Sequence, residues 1–176
     1  YIYEVRTLRA IYYYYAMDLF AEVPLVTSST ASISSVAQSK RPEVFAFVTK
    51  ELAECIPNLS ESASQKSGLY YGRITKAIAY MCMAKCALNA AVYNIDDASA
   101  TSYQSFVGDD LSGACTASET LGAAVTTKGS AVNISLDGTT RNAWETVIYC
   151  VDKLASLGYS LQAKYADNFV TSNNSS

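Results

Sequence analysis

The chain has 176 residues, and half of them are apolar, which is enough for the hydrophobic core of about one domain. Its 13 basic and 16 acidic residues give a net charge of −3 without a basic patch, so we expect no nucleic-acid partner. The sequence contains no histidine, which excludes Ser-His-Asp and Cys-His catalysis and histidine-bound zinc. Its 5 cysteines form no CxxC pair, and we predict neither a metal site nor a cofactor.

Residues 1–20 are predicted to form a helix, because apolar residues recur there at steps of three and four. The most apolar stripe carries Val5, Leu8, Tyr12, Tyr15 and Leu19, and a neighbouring stripe carries Ile2, Arg9, Tyr13, Met17 and Phe20. The four consecutive tyrosines at 12–15 surround the helix, so some of their rings must face a groove or another domain. The first residues already fit the middle of a helix, and we expect the chain to be a piece of a longer protein.

Two further helices follow a loop rich in Ser, Thr and Ala at 28–40. The second helix is predicted to begin at Pro42 and to end at Ile56-Pro57. Its buried stripe is Val44, Val48, Leu52 and Cys55, with Phe45 and Phe47 beside it. A third helix, dense in alanine, is predicted to run from the N-cap Thr75 to about Tyr93.

Residues 94–139 change in character, since Ser, Thr, Gly, Asp and Ala dominate and no hydrophobic period persists. Such a long loop is uncommon inside a compact domain, so we interpret it as an insertion with a short hairpin around Ala131–Leu136 and a turn at Asp137-Gly138. A fourth helix is predicted to begin near Thr140–Asn142, with a capping box of Asn142 and Glu145, and to end at Gly158. Its buried face is predicted to carry Trp144, Val147, Ile148, Val151, Leu154 and Ala155.

The fold class predicted from this pattern is all-α, with antiparallel helix pairs of the tetratricopeptide type and one long loop-rich insertion. The predicted helix starts near 42 and 75 are separated by about the 34-residue period of such repeats. The start near 140 fits this period only when residues 94–139 are treated as inserted.

Four stretches in this order resemble the SusD/RagB family of outer-membrane nutrient-binding lipoproteins of Bacteroidetes. They are LRAIYYYYAMDLFAEVPLVT (Leu8–Thr27), RPEVFAFVTKELAECIPNL (Arg41–Leu59), YGRITKAIAYMCMAKCALNAAVY (Tyr71–Tyr93) and WETVIYCVDKLASLGYSLQAKYADNF (Trp144–Phe169). The resemblance implies that residues 1–176 are the N-terminal helical-repeat region of such a protein, and that the C-terminal half of the family is absent. The sequence departs from the family in the insertion at 94–139 and at Ala21, where the family usually has glycine.

The resemblance also implies a function. SusD-like proteins are lipid-anchored at the cell surface, on the outer membrane, and take part in polysaccharide utilisation. They bind a glycan, an oligosaccharide or another nutrient and pass it to a SusC-like TonB-dependent transporter. They are not enzymes. The anchoring cysteine of the family belongs to a segment upstream of Tyr1, so none of the 5 cysteines is interpreted as the anchor.

Three residues of the first helix are predicted to bind the ligand, namely Arg9, Tyr13 and Tyr14. An aromatic ring offers contact to a pyranose face, its hydroxyl adds a hydrogen bond, and a guanidinium can hold a ligand hydroxyl or carboxylate. The alternatives are tyrosine packing inside a helical bundle and a salt bridge from the arginine to another helix. Trp144 offers the same choice between stacking on a sugar and burial in the core.

An enzyme is disfavoured, because the sequence lacks histidine and a nucleophile motif such as G-x-S-x-G, and two alternatives for the chain as a whole remain open. It is either a ligand-binding scaffold or a purely structural, protein-interaction helical repeat without ligand contact. The acidic pairs Asp96-Asp97 and Asp109-Asp110 lack the spacing of a calcium loop, and solvated loop acids are the simpler interpretation.

Overall fold

The computed structural model describes residues 1–32, 34, 36–63, 68–94 and 132–164, and within them the chain is mostly helical. This confirms the predicted fold class, whereas tetratricopeptide-like pairing stays a prediction. The helices are α1 (Ile2–Phe20), α2 (Arg41–Cys55), α3 (Lys76–Leu88), α4 (Ala90–Tyr93) and α5 (Ala143–Ser156), with a 3-10 turn at Ile56–Asn58.

Two short antiparallel ribbons connect the helices. Strand β1 (Val23–Pro24) pairs with β2 (Gln38–Ser39) after α1, and β3 (Asn133–Leu136) pairs with β4 (Thr139–Asn142) before α5. Asp137 and Gly138 join β3 to β4 with φ of 52° and 73°, the backbone that a two-residue hairpin turn requires. The predicted hairpin and turn are confirmed, and the hairpin runs on to the start of α5. The rest of the predicted insertion, 95–131, lies outside the described residues.

Helices α1 and α2 lie antiparallel, as the order of their contacts shows. Arg6 near the start of α1 reaches Glu51 and Glu54 late in α2, whereas Tyr13 in the second half of α1 packs against Phe47. The predicted stripe of α2 is confirmed, because Val44, Val48, Leu52 and Cys55 are all fully buried. Helix α3 packs mainly against α5, and its alanines lie in the same core.

The buried face of α1 matches neither of its two apolar stripes as a whole. The stripe of Val5, Leu8, Tyr12, Tyr15 and Leu19 is 41% to 71% exposed. The face that α1 buries instead carries Thr7, Ala10, Tyr14 and Met17. The small side chains of Thr7 and Ala10 on this face allow a close approach of α2.

The prediction for α5 is confirmed at its start and in part along its face, where Leu154 is buried and Val147 packs against the core. Asn142 accepts a hydrogen bond from Glu145 N at 2.9 Å and donates its own N–H to the Glu145 carboxylate, which completes the capping box. Ile148 and Val151 are exposed, and Trp144 is half-buried. The face that α5 buries carries Ala143, Thr146, Cys150 and Leu154.

Helix α3 begins after Thr75 as predicted, but the Thr75 side chain makes no capping hydrogen bond. The helix also ends earlier than predicted. It stops at Leu88, and Asn89 separates it from the single turn α4. Tyr93 in α4 is nevertheless buried, and its hydroxyl donates to Asp18 of α1 at 2.6 Å. This hydrogen bond connects the end of α4 to the end of α1.

The end of α1 carries backbone strain at Ala21. Its φ of 59° and ψ of −74°, with a 2.8 Å hydrogen bond from Glu22 N to Phe20 O, form a tight three-residue turn that is rare for residues with a side chain. This turn sends the chain from α1 into β1.

We predict that Ala21→Gly stabilises the protein by about 1 kcal/mol. The free energy gained by relieving the strained φ of Ala21 exceeds the free-energy cost of the extra conformational freedom that glycine gives to the unfolded chain. Urea unfolding followed by circular dichroism measures the change. The matched control is Ala46→Gly on the exposed side of α2, which should destabilise by about 1 kcal/mol. Destabilisation by both substitutions would contradict the strain at Ala21.

Candidate functional site

The four consecutive tyrosines of α1 have four different environments, since each residue turns the helix by roughly 100°. Tyr12 is 67% exposed and Tyr15 is half exposed. Tyr13 is half-buried, and Tyr14 is only 7% exposed. The two most exposed tyrosines of the run are therefore not the two that the sequence predicts to bind ligand.

Arg9 forms an ion pair with the carboxylate of Glu51 in α2, and its guanidinium lies 5.5 Å from the centre of the Phe47 ring. The salt bridge to another helix, which was the alternative interpretation of this residue, is therefore present. About a third of the Arg9 side chain remains exposed. The Arg9 side chain is therefore held by α2 through Nη2 and stays partly open to solvent.

Glu51 is the centre of this polar cluster and is only 6% exposed. Arg6 donates from Nε at 3.1 Å and from Nη2 at 2.8 Å to its two carboxylate oxygens, and Arg9 donates to one of them. The hydrogen bonds from Arg6, opposed by burial and assisted by Arg9, hold the pKa of Glu51 below its usual value. Both arginines are consequently fixed in direction on α1.

Tyr13 and Tyr14 both make contacts within the fold. The Tyr13 hydroxyl donates to Val26 O at 3.0 Å and accepts from Val26 N at 2.8 Å, which fastens the chain after β1 to α1. Tyr14 packs edge-on against Tyr93, with ring centres 6.3 Å apart. Burial, the main cause, raises the pKa of Tyr14. Only ring surface is left for a ligand at either residue.

The structure brings together two of the three predicted residues. Arg9 and Tyr13 line one shallow depression of about 430 Å³ on the outer side of α1, together with Val5, Leu8, Tyr12 and Ala16. Tyr14 and Tyr15 line a separate apolar groove of about 440 Å³ between α1 and α3. Ligand contact by the three residues stays a prediction. Tyr12 belongs to the same tyrosine run, but it was not among the residues predicted to bind the ligand.

A second polar cluster holds the hairpin against the helices. The Asp137 carboxylate at the hairpin turn accepts from Tyr80 of α3 at 2.9 Å and from Tyr149 of α5 at 2.7 Å. Arg141 lies 3.8 Å from the centre of the Tyr149 ring. Burial, with the Asp137 carboxylate, raises the pKa of Tyr149 to about 12. This cluster ties the hairpin turn, α3 and α5 together around a single carboxylate.

Among the described residues, no group of three or more Cys, Asp or Glu is placed to hold a metal ion. The acidic pairs Asp96-Asp97 and Asp109-Asp110 lie outside those residues. In the same part of the chain, no helix combines the length and the apolar character needed to cross a bilayer.

Comparison with known proteins gives a partial similarity. The chain is 31% identical over 106 residues to "Starch-binding protein SusD" of Bacteroides thetaiotaomicron, which covers 59% of this chain and 18% of that protein. The matched stretch is therefore less than a fifth of the length of the curated relative. No family model matches the chain, and no solved structure matches it.

We predict that Glu51→Gln costs about 2 kcal/mol at neutral pH, because it weakens charge-assisted hydrogen bonds to a buried carboxylate. The lowered pKa also gives a pH dependence. The contribution of Glu51 is complete above its unfolded pKa, near 4.5, and is lost as the pH falls through the lower folded pKa. Wild type should therefore lose its advantage over the variant below about pH 4 in urea unfolding.

The control is Glu54→Gln, which removes a half-exposed carboxylate whose ion pair, within the described part of the chain, is with Arg6. Its cost should stay below about 1 kcal/mol. Equal costs for the two substitutions, or a difference between wild type and Glu51→Gln that persists in acid, would contradict the central role of Glu51.

Proposed function

We propose that the chain is the N-terminal helical-repeat region, 1–176, of a SusD-like protein that captures a glycan without transforming it. The observation that carries this proposal is the 31% identity over 106 residues to a starch-binding protein. The mostly helical fold agrees with it. The absence of histidine from the sequence supports a non-catalytic role, because the common nucleophile–base arrangements need that side chain.

The proposed contact surface is the depression lined by Arg9, Tyr12 and Tyr13. The Tyr12 ring offers an exposed face for the axial C–H groups of a pyranose, and its hydroxyl can bond to sugar hydroxyls. Arg9 and Tyr13 are already held by Glu51 and Val26, so little side-chain entropy is lost when a glycan binds. Tyr14 supports this surface mainly by packing, since it is almost fully buried.

We further propose the partnership that the family resemblance implies. The full-length protein would be lipid-anchored at the outer membrane and would deliver its ligand to a SusC-like TonB-dependent transporter. The exposed apolar stripe of α1 supports some protein contact, because its residues recur at the three-and-four spacing of helix–helix interfaces. The same stripe favours the second candidate function, a structural or protein-interaction repeat without ligand contact.

The test is the binding of maltoheptaose and soluble starch to the 176-residue chain, measured by isothermal titration calorimetry and affinity electrophoresis. We predict that Tyr12→Ala weakens binding about five- to tenfold, the loss expected when one stacked ring is removed. The matched control is Tyr71→Ala, which removes an equally exposed tyrosine of the loop before α3 and should leave affinity unchanged.

Three results would contradict the proposal. Absence of binding to either glucan by the folded chain would favour the structural alternative. An equal loss of glucan affinity in the Tyr12 and Tyr71 variants would show that the proposed surface on α1 is not the contact site. Release of reducing sugar from starch during prolonged incubation would contradict a non-catalytic protein.

A further inference from the structure

The exposed side of α1 carries apolar residues at the spacing of a coiled coil. Val5, Tyr12 and Leu19 recur every seven residues, and Leu8 and Tyr15 follow the first two of them by three. They occupy positions a and d of successive heptads, at which two paired helices meet, and Tyr1 extends the pattern by one d position. These six residues are called the outer stripe: Tyr1, Val5, Leu8, Tyr12, Tyr15 and Leu19.

The outer stripe lies on the side of α1 that faces away from the core. Each residue turns an α-helix by roughly 100°, so the stripe points roughly 160° away from the mean direction of the buried Thr7, Ala10, Tyr14 and Met17. The six side chains of the stripe are 41% to 89% exposed. Helix α1 therefore packs one face into its own core and presents a second, regular apolar face to the outside.

This second face is large enough for a stable interface. Its exposed surface is on the order of 800 Å² on one copy of the chain, which is the share that one partner contributes to an interface of standard size. The helix is already folded, because its buried face packs against the core. Pairing through the outer stripe therefore needs no new helix to form, which lowers the entropy cost of association.

The charges beside the outer stripe favour a second copy of the chain in parallel orientation. Glu4 occupies position g of one heptad, and Arg9 occupies position e of the next. These positions lie side by side across a parallel pair, so Glu4 of each copy meets Arg9 of the other. An antiparallel pair would instead bring Glu4 near Asp18 and Arg9 near its own counterpart, and like charges repel.

Both flanking side chains are already held in direction. Arg73 donates from Nε to Glu4 at 3.1 Å, and Arg9 pairs with Glu51. The Glu4 side chain is nevertheless 20% exposed and the Arg9 side chain 35% exposed. Each therefore keeps surface for a further charged contact, and little side-chain entropy is lost when that contact forms.

We propose that two copies of the chain associate through α1 as a parallel two-stranded coiled coil, with their outer stripes in register. Val5 at position a and Leu8 at position d are the combination that favours two strands. In this arrangement each residue of the stripe lies opposite its own counterpart. Leu19 of one copy thus faces Leu19 of the second copy.

The dimer and a glycan would use the same tyrosine. Tyr12 lies in the middle of the outer stripe and also lines the depression of the proposed glycan surface. A bound glycan and a second copy therefore exclude each other, a consequence that rests on the proposed function. A ligand that binds only the monomer shifts the equilibrium toward the monomer by mass action.

The test is sedimentation equilibrium of the 176-residue chain over a range of protein concentrations. We expect the mass to rise from 19.0 kDa toward twice that value. Leu19→Lys and Leu19→Glu should each raise the dissociation constant of the dimer about tenfold or more, because like charges then face each other across the pair. The matched control is Leu69→Lys, which changes a similarly exposed leucine before α3 and should leave the dissociation constant unchanged.

A mixture of the two Leu19 variants tests the orientation and shows that both variants are folded. Their opposite charges face each other only in the parallel pair, so an equimolar mixture should form dimers that neither variant forms alone. An antiparallel pair would place position 19 beside Tyr1 of the second copy, and mixing would not restore association. Circular dichroism of each variant checks that the helix content is unchanged.

Three results would overturn the dimer: a mass of 19.0 kDa at every concentration, equal weakening by Leu69→Lys, or no association in the mixture of Leu19 variants. Addition of saturating maltoheptaose tests the shared use of Tyr12 and should return the dimer to monomers. A dimer that persists with maltoheptaose bound would support pairing through α1 and contradict the glycan surface at Tyr12. The dimer and the proposed function can therefore fail independently.

Discussion

The Glu51 carboxylate, buried between the guanidinium groups of Arg6 and Arg9, fixes how α1 lies against α2. Three charged groups at a helix interface are stable only when their hydrogen bonds are made, so few rotations of α1 about its axis are compatible with this cluster. The rotation that satisfies it presents Thr7 and Ala10 to α2. The close approach of these two helices follows from that choice.

The same rotation of α1 determines which of its side chains are exposed to other molecules. It turns Tyr14 into the core beside Tyr93 and leaves Tyr12 in solvent, next to an arginine that α2 already holds. A helix with apolar residues on most of its circumference thereby has one face for its own core and another for contacts outside the described structure. Glycan capture and partner docking, as proposed above, both depend on this outer face.

Sequence patterns predicted where the elements begin and end better than which faces they bury. Local signals such as the Asn142–Glu145 capping box, the Asp137-Gly138 turn and Ile56-Pro57 act within a few residues, and the structure confirms them. Periodicity did not single out the buried face of α1, and it placed the exposed Ile148 and Val151 in that of α5, because it detects every apolar stripe without showing which one meets another helix. The deciding contacts join residues more than forty positions apart. The proximity of Arg9 and Tyr13 was predictable from their spacing, whereas the separation of Tyr14 from both depends on tertiary packing.

Hydroxyl-radical footprinting of the folded chain, with mass-spectrometric mapping of α1, tests the central claim most directly, because it measures the accessibility of neighbouring tyrosines in one experiment. If Glu51 sets the rotation of α1, Tyr12 is oxidised rapidly and Tyr14 is protected until the chain unfolds. Rapid oxidation of Tyr14 together with protection of Tyr12 would show that α1 buries its most apolar stripe, and would contradict the account.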